Sequence, residues 1–252
     1  MMKQWNELSE SRKHRLKLFV FYFTVITALY FSLLPAMHWF VSYTHITILN
    51  SIFGLLVFCG IQLVMAKHMR LSLVDLGIKR IIPKDNLLVT LLITVLFCLI
   101  LVVFKWMLIQ CIDGLEGLPL FSPMHTQNQA GQSLSEFTVW VIAIAYLLFC
   151  PFQVFLIHSA IQGVVMDLFP TKMGRYGALI LAVIAMSLIH LPIDVAYALI
   201  VIIPAILWAV LYLKYRCLIT VTISHALIGF WAFFILDYDE LINLFNLYLS
   251  SH

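Results

Sequence analysis

The sequence predicts an all-α fold, a polytopic membrane helical bundle of about seven transmembrane helices with a cytoplasmic N-terminus. Three observations predict it. The chain is 63% apolar and only 11% charged, where a soluble domain is about half apolar and about a quarter charged, and its mean hydropathy is +1.03. Its uncharged runs reach the roughly 18–20 residues that a helix needs to cross ~30 Å of hydrocarbon. Its basic residues gather on one side of those runs. Helices pair their backbone groups internally and so suit lipid, while the period-2 alternation of a membrane barrel is absent.

The spans follow in order. Leu18 to Ala66 carries no formal charge, enough for two helices with a short turn near His38 to His45. Leu87 to Phe104 is the third span. Phe137 to Met166 is the fourth, too long for one straight crossing, and Pro151 within it predicts a kink or a division. Tyr176 to Ile193 is the fifth, with Pro192 ending it beside His190. Val195 to Leu213 is the sixth and Cys217 to Leu236 the seventh. This divides the chain into a basic cytoplasmic segment (1–17), a membrane bundle (18–236) and an external acidic tail (237–252). The tail, DYDELINLFNLYLSSH, could add a short interfacial helix.

Fourteen of the fifteen Lys and Arg residues lie before span one or between spans two and three, four and five, and six and seven. The opposite side carries Asp113, Glu116, Glu136, Asp194, Asp237, Asp239 and Glu240 and no basic residue. The positive-inside rule then places the N-terminus in the cytoplasm and the C-terminus outside. Lys105 is the exception, near the outer end of span three, where it could snorkel to water. The basic-then-apolar start reads as an uncleaved anchor, since its apolar run is too long for a cleaved signal. Cys59, Cys98, Cys111, Cys150 and Cys217 lack metal or redox spacing and read as packing residues. The loop from Cys111 to Glu136 is the longest connection, a flexible loop or a lid. The basic residues are accounted for by topology, so nucleic acid is not an expected partner; the lipid bilayer is.

Polar side chains in a span are costly and usually face the bundle interior. Counted from the cytoplasmic helix ends at ~1.5 Å per residue, His158 is about 16 Å deep, His225 about 12 Å, His190 about 21 Å and Gln153 about 24 Å. Three histidines on three helices thus fall near the middle of the bilayer. His158 and Gln162, four residues apart, share one helix face. These residues either line a polar cavity or act as hydrogen-bonding braces between helices.

Four strings resemble, in order, the motifs of the CAAX protease and bacteriocin-processing (CPBP, or Abi) family of intramembrane proteases. LVDLGIKR (73–80) is similar to the family's Asp-Leu-Gly loop. QVFLIHSAIQGVVMDLF (153–169) falls where the family has Glu-Glu-x-x-x-Arg-Gly. MSLIHLP (186–192) resembles Phe-x-x-x-His, and ITVTISHALIGFWAF (219–233) resembles His-x-x-x-Asn. The resemblance implies a CPBP-like region over about 137–236, and a location in the cytoplasmic membrane of a bacterium. It also implies His190 and His225 as the catalytic pair of an active member. In the family the glutamate activates water, helped by the second-motif histidine, while the last histidine and asparagine hold the oxyanion. Such groups suit general-base work and charge stabilisation.

This chain departs from that pattern at the acids. Gln153 and Val154 stand on the glutamate pair, His158 on Arg, Ser159 on Gly, Met186 on Phe and Gly229 on Asn. Moving the register, either to put His158 and Ser159 on the glutamates or to put Gln162–Gly163 on Arg–Gly, still supplies no acid. Gln153, His158, Ser159, Gln162 and Gly229 are therefore expected to line an inherited cavity. The expectation is a degenerate, non-proteolytic homologue that binds a membrane peptide, a lipid-linked molecule or a membrane protein. Two alternatives stay open. One is an active CAAX-type protease with altered chemistry, either histidine-based or using a divalent metal such as Zn²⁺ held by His158, His190 and His225. The other is a transporter-like function.

Overall fold

The computed structural model describes residues 9–44, 47–79, 81–112, 115–124, 135–191, 195–238, 240–242 and 244, with side chains outside 33–55. Among the described residues the regular structure is all helix, without strands. The long helices are α1 (Glu10–Thr44) and α2 (Thr47–His68), α3 (Lys84–Cys111), α4 (Glu136–Leu168), α5 (Lys172–His190), α6 (Val195–Tyr215) and α7 (Leu218–Ile235). Six of the helices are long and apolar enough to cross a membrane, the mark of an integral membrane protein; α2 contributes the shorter apolar stretch Leu56–His68. Their outward faces stay apolar: Val95 and Leu99 on α3 are 57% and 56% exposed, positions that lipid covers favourably.

The helices overrun the uncharged stretches that announced them. α1 begins at Glu10 and takes in Arg12, Lys13, Arg15 and Lys17, so the basic N-terminal segment is partly helix. The charge pattern marks where hydrocarbon begins, whereas a helix continues into the interface and lets long basic side chains reach water. α1 runs on past Pro35 to Thr44, so helix covers most of the interval expected to turn, and residues 45–46 lie outside the described residues. Pro192 and Asp194 lie outside the described residues.

The chain divides into two compact units, Met1–Arg80 with Phe152–Leu218, and Ile81–Pro151 with Ile219–His252. In the first, α1 packs on α2, and the C-terminal half of α4 packs on α2, α5 and α6. That half is its core: every residue from Phe155 to Gly163 is buried. α6 ends at Arg216, whose left-handed backbone (φ 45°, ψ 51°) stops the helix. A non-glycine residue is strained there. The strain is offset by its guanidinium, which grips both carboxylate oxygens of Asp167, with Nη1 to Oδ1 at 2.6 Å.

In the second unit, Val139, Ala143 and Phe234 form one cluster, and Leu115, Leu236, Tyr238 and Leu241 another. The tail is therefore anchored at its start, with Tyr238 donating to the Leu101 carbonyl at 2.7 Å. The described part of the long loop caps the end of α7. Ser122 N–H donates to Ile235 O at 3.0 Å and Met124 N–H to Phe234 O at 2.8 Å, satisfying carbonyls that a helix end leaves orphaned. Lys105 does not snorkel. It is 1% exposed, and its ammonium donates to the Leu236 carbonyl, with the Asp237 and Glu240 charges nearby. Lys105→Met should lower the thermal midpoint in detergent by the equivalent of about 2 kcal/mol, because the buried Leu236 carbonyl loses its charged donor. A shift below about 0.5 kcal/mol, the size of ordinary surface substitutions, would show that the ammonium is dispensable.

Candidate functional site

The candidate site is the core stretch of α4 that carries the string resembling the first motif. Pro151 sits inside the helix, where it removes one backbone donor. The helix survives, and from Phe155 to Gly163 its winding loosens to a π-helix, a form that recurs at functional sites. Loosened carbonyls are met from α2. Cys59 Sγ donates to Phe152 O at 3.6 Å, and Gln62 Nε2 donates to Leu156 O at 3.2 Å. Gln62, 1% exposed, was not anticipated; a lone glutamine amid an apolar run was its sequence signal.

His158, Ser159 and Gln162 are each fully buried, and their bonds fix the protons. The Ala209 carbonyl can only accept, so Gln162 presents Nε2 to it, at 2.8 Å. The amide oxygen therefore faces His158 Nδ1, at 2.7 Å, and that nitrogen carries a hydrogen. His158 is held as the Nδ1–H tautomer, with its buried Nε2 left without a hydrogen-bond partner. The Ser159 hydroxyl donates to Leu76 O at 2.7 Å. α4 is thereby tied to α6 and to the loop after α2.

That loop is the Asp-Leu-Gly string, and the structure joins it to the first motif. Gly77 has φ +76°, and the Tyr212 ring fills the space beside both Gly77 and Gly163; a Cβ would come within 2.9 Å and 2.8 Å of its hydroxyl. The Tyr212 hydroxyl lies near Ser159 and Arg216 but completes no hydrogen bond of good geometry. Around it, Leu218 N–H donates to Gly77 O at 2.9 Å, Lys79 Nζ to Tyr215 O at 2.7 Å and Arg216 Nη2 to Asp75 O at 3.1 Å. The Asp75 carboxyl accepts from the Ser72 backbone N–H and hydroxyl, each at 2.8 Å, and these bonds, the backbone one foremost, hold its pKa below the ordinary value. Gly77→Ala should cost about 2 kcal/mol through backbone strain and displacement of Tyr212. Gly60→Ala is the control, since a Cβ there meets nothing within 4 Å. Equal midpoints for the two variants would remove Tyr212 from this account.

The remaining residues behave differently. Gln153 is half-buried. His190, also half-buried, donates from Nδ1 to Met186 O, one turn earlier, at 2.7 Å; its Nε2 is left as the basic nitrogen. His225 belongs to the second unit and is 3% exposed. Its backbone carbonyl accepts from the Tyr146 hydroxyl at 3.4 Å. Gly229, which aligns with the asparagine of the resembled motif, is where Tyr146 packs: a Cβ there would collide with the phenol. Tyr146 stacks edge-on against Phe233 with centroids 6.0 Å apart. The tyrosine was not anticipated either, because nothing local links it to a glycine on another helix.

The chemistry open to the first unit is limited. Asp167, the acid in the part of α4 that belongs to this unit, is bound by Arg216. Among the described residues, no group of three or more His, Cys, Asp or Glu side chains is arranged to hold a metal ion. Of the ligand set His158, His190 and His225, His158 has its Nδ1 engaged by Gln162. No family model, curated protein or solved structure matches the chain.

Proposed function

We propose that this chain is a CPBP-like membrane protein in which proteolysis has been lost: a degenerate intramembrane protease homologue that binds a membrane peptide, a lipid-linked molecule or a membrane protein. One observation carries the reading. Three of the four polar side chains at the first-motif positions, His158, Ser159 and Gln162, are fully buried and bonded to each other or to backbone carbonyls, while Gln153 is half-buried. Side chains so engaged hold helices together; they do not present a base to water. The filling of the Gly229 position by Tyr146 supports the same reading, since the hydroxyl that takes the asparagine's place is turned to the His225 carbonyl at 3.4 Å. The N-terminus in the cytoplasm and a bacterial cytoplasmic membrane belong to the proposal.

His190 favours a second reading, histidine-based catalysis, because its Nε2 is a free base on a half-buried ring. Binding and cleavage separate the two. The protein, labelled and placed in lipid nanodiscs, is titrated with a panel of labelled single-span peptides, and energy transfer is read together with peptide mass. Saturable transfer with intact peptides is the expected result. Fragmentation that disappears in His190→Ala would establish the second reading and overturn the first.

A further inference from the structure

A cavity of about 250 Å³ opens in the first unit between the start of α1, the loop after α2 and the end of α4. It has two walls. Ser9, Ser11, Arg12 and Arg15 supply hydroxyls and guanidinium groups, while Met69, Leu71, Val164 and Leu168 supply hydrocarbon. Arg12 and Arg15 are half-buried, one turn apart on α1, and Ser9 caps that helix by accepting from Arg12 N–H at 3.3 Å. Asp167 also lines the space, but Arg216 holds both of its oxygens. Lys13 is paired with Glu10 at 2.8 Å, and Asp75 exerts a field on Arg15. Among the described residues neither Arg12 nor Arg15 has a carboxylate within ion-pair distance.

Two guanidinium groups beside two hydroxyls form a donor set for a phosphate, which arginine binds through paired N–H groups. The cavity is smaller than the roughly 300–1,000 Å³ of sites that enclose a whole drug-sized ligand. It takes one polar group and the start of the chain attached to it. The apolar wall and the basic margin of α1 match the level at which anionic lipids present phosphate to Lys and Arg.

We propose that this cavity is a binding site for the phosphate group of an anionic phospholipid, with the adjoining hydrocarbon against Met69, Leu71, Val164 and Leu168. It is independent of the reading of the α4 core, so either can fail alone. The test uses the full chain in nanodiscs of phosphatidylcholine alone or of equal parts phosphatidylcholine and phosphatidylglycerol, with retained lipid measured by native mass spectrometry. The variants are Arg12→Gln/Arg15→Gln and Arg12→Lys/Arg15→Lys. Lys172→Gln/Arg175→Gln, basic residues that do not line the cavity, is the control. Wild type and control should retain phosphatidylglycerol over phosphatidylcholine equally. The glutamine pair should lose that preference about tenfold, and the lysine pair should fall between, since it keeps charge but not the paired geometry. Unchanged circular dichroism shows that each variant is folded; if the glutamine pair is not, the lysine pair decides. Equal loss in the control would overturn the site in favour of general surface charge. Displacement of phosphatidylglycerol by inorganic phosphate would overturn the lipid as its source.

Discussion

Gln162→Ala is expected to destabilise the protein by about 3 kcal/mol, the sum of a buried donor left unpaired and a cavity in a close-packed core. The change strands His158 Nδ1–H, now 2.7 Å from the amide oxygen, and removes the donor that reaches Ala209 O at 2.8 Å. Both groups lie where exposure is nil, so no water compensates. The asymmetry of buried polar pairs sharpens the expectation. Removing one partner carries the full desolvation penalty, whereas replacing both with apolar groups of similar shape is nearly neutral. His158→Leu/Gln162→Met should therefore recover most of the loss and lie within about 1 kcal/mol of the wild type. Thermal midpoints in detergent, followed by tryptophan fluorescence, read the cycle. Additive losses in the double variant would mean that the two residues act separately, and the brace would be wrong.

Gly229→Asn, which restores the residue of the resembled motif, is expected to harm rather than repair. A Cβ at this position meets the Tyr146 hydroxyl and ring carbon. Tyr146 is itself held among Phe230, Phe233 and Phe234, so it yields only by repacking the cluster. Overpacking of this kind costs about 1–3 kcal/mol, and the upper part of that range applies because asparagine also brings an amide into an apolar cluster. Gly229→Asn/Tyr146→Leu should be more stable than Gly229→Asn alone, a non-additivity that only direct contact produces. If Gly229→Asn folds as well as the wild type, Tyr146 does not fill the site.

The architecture was readable because lipid imposes one rule on a whole segment. A run without charge either crosses the membrane or has no place in it, so the uncharged stretches located the helices before any packing was considered. The sites depend on pairs of residues, and there the sequence was silent on partners. His158 and Gln162 were recognisable together because a helix puts residues four apart on one face, and they meet despite the π winding. Pro151 foretold a disturbance but not its form, which is decided by donors on α2 such as Gln62. Lys105 was misplaced for a related reason. A long basic side chain near a helix end can reach outward or inward, and the inward route became available only when the end of α7 offered Leu236 O. Tyr146 and Gly229, far apart in sequence, carry no mutual signal at all.

The central claim concerns cleavage, so its most direct test is peptide hydrolysis. The purified protein in nanodiscs is incubated with a mixed library of membrane peptides, beside His190→Ala/His225→Ala, and products are identified by mass spectrometry. The account predicts that no product is formed by the wild type beyond what the double variant forms. Peptides cut by the wild type and spared by the double variant would contradict it, and would show that this chain hydrolyses peptide bonds without the glutamates of the family it resembles.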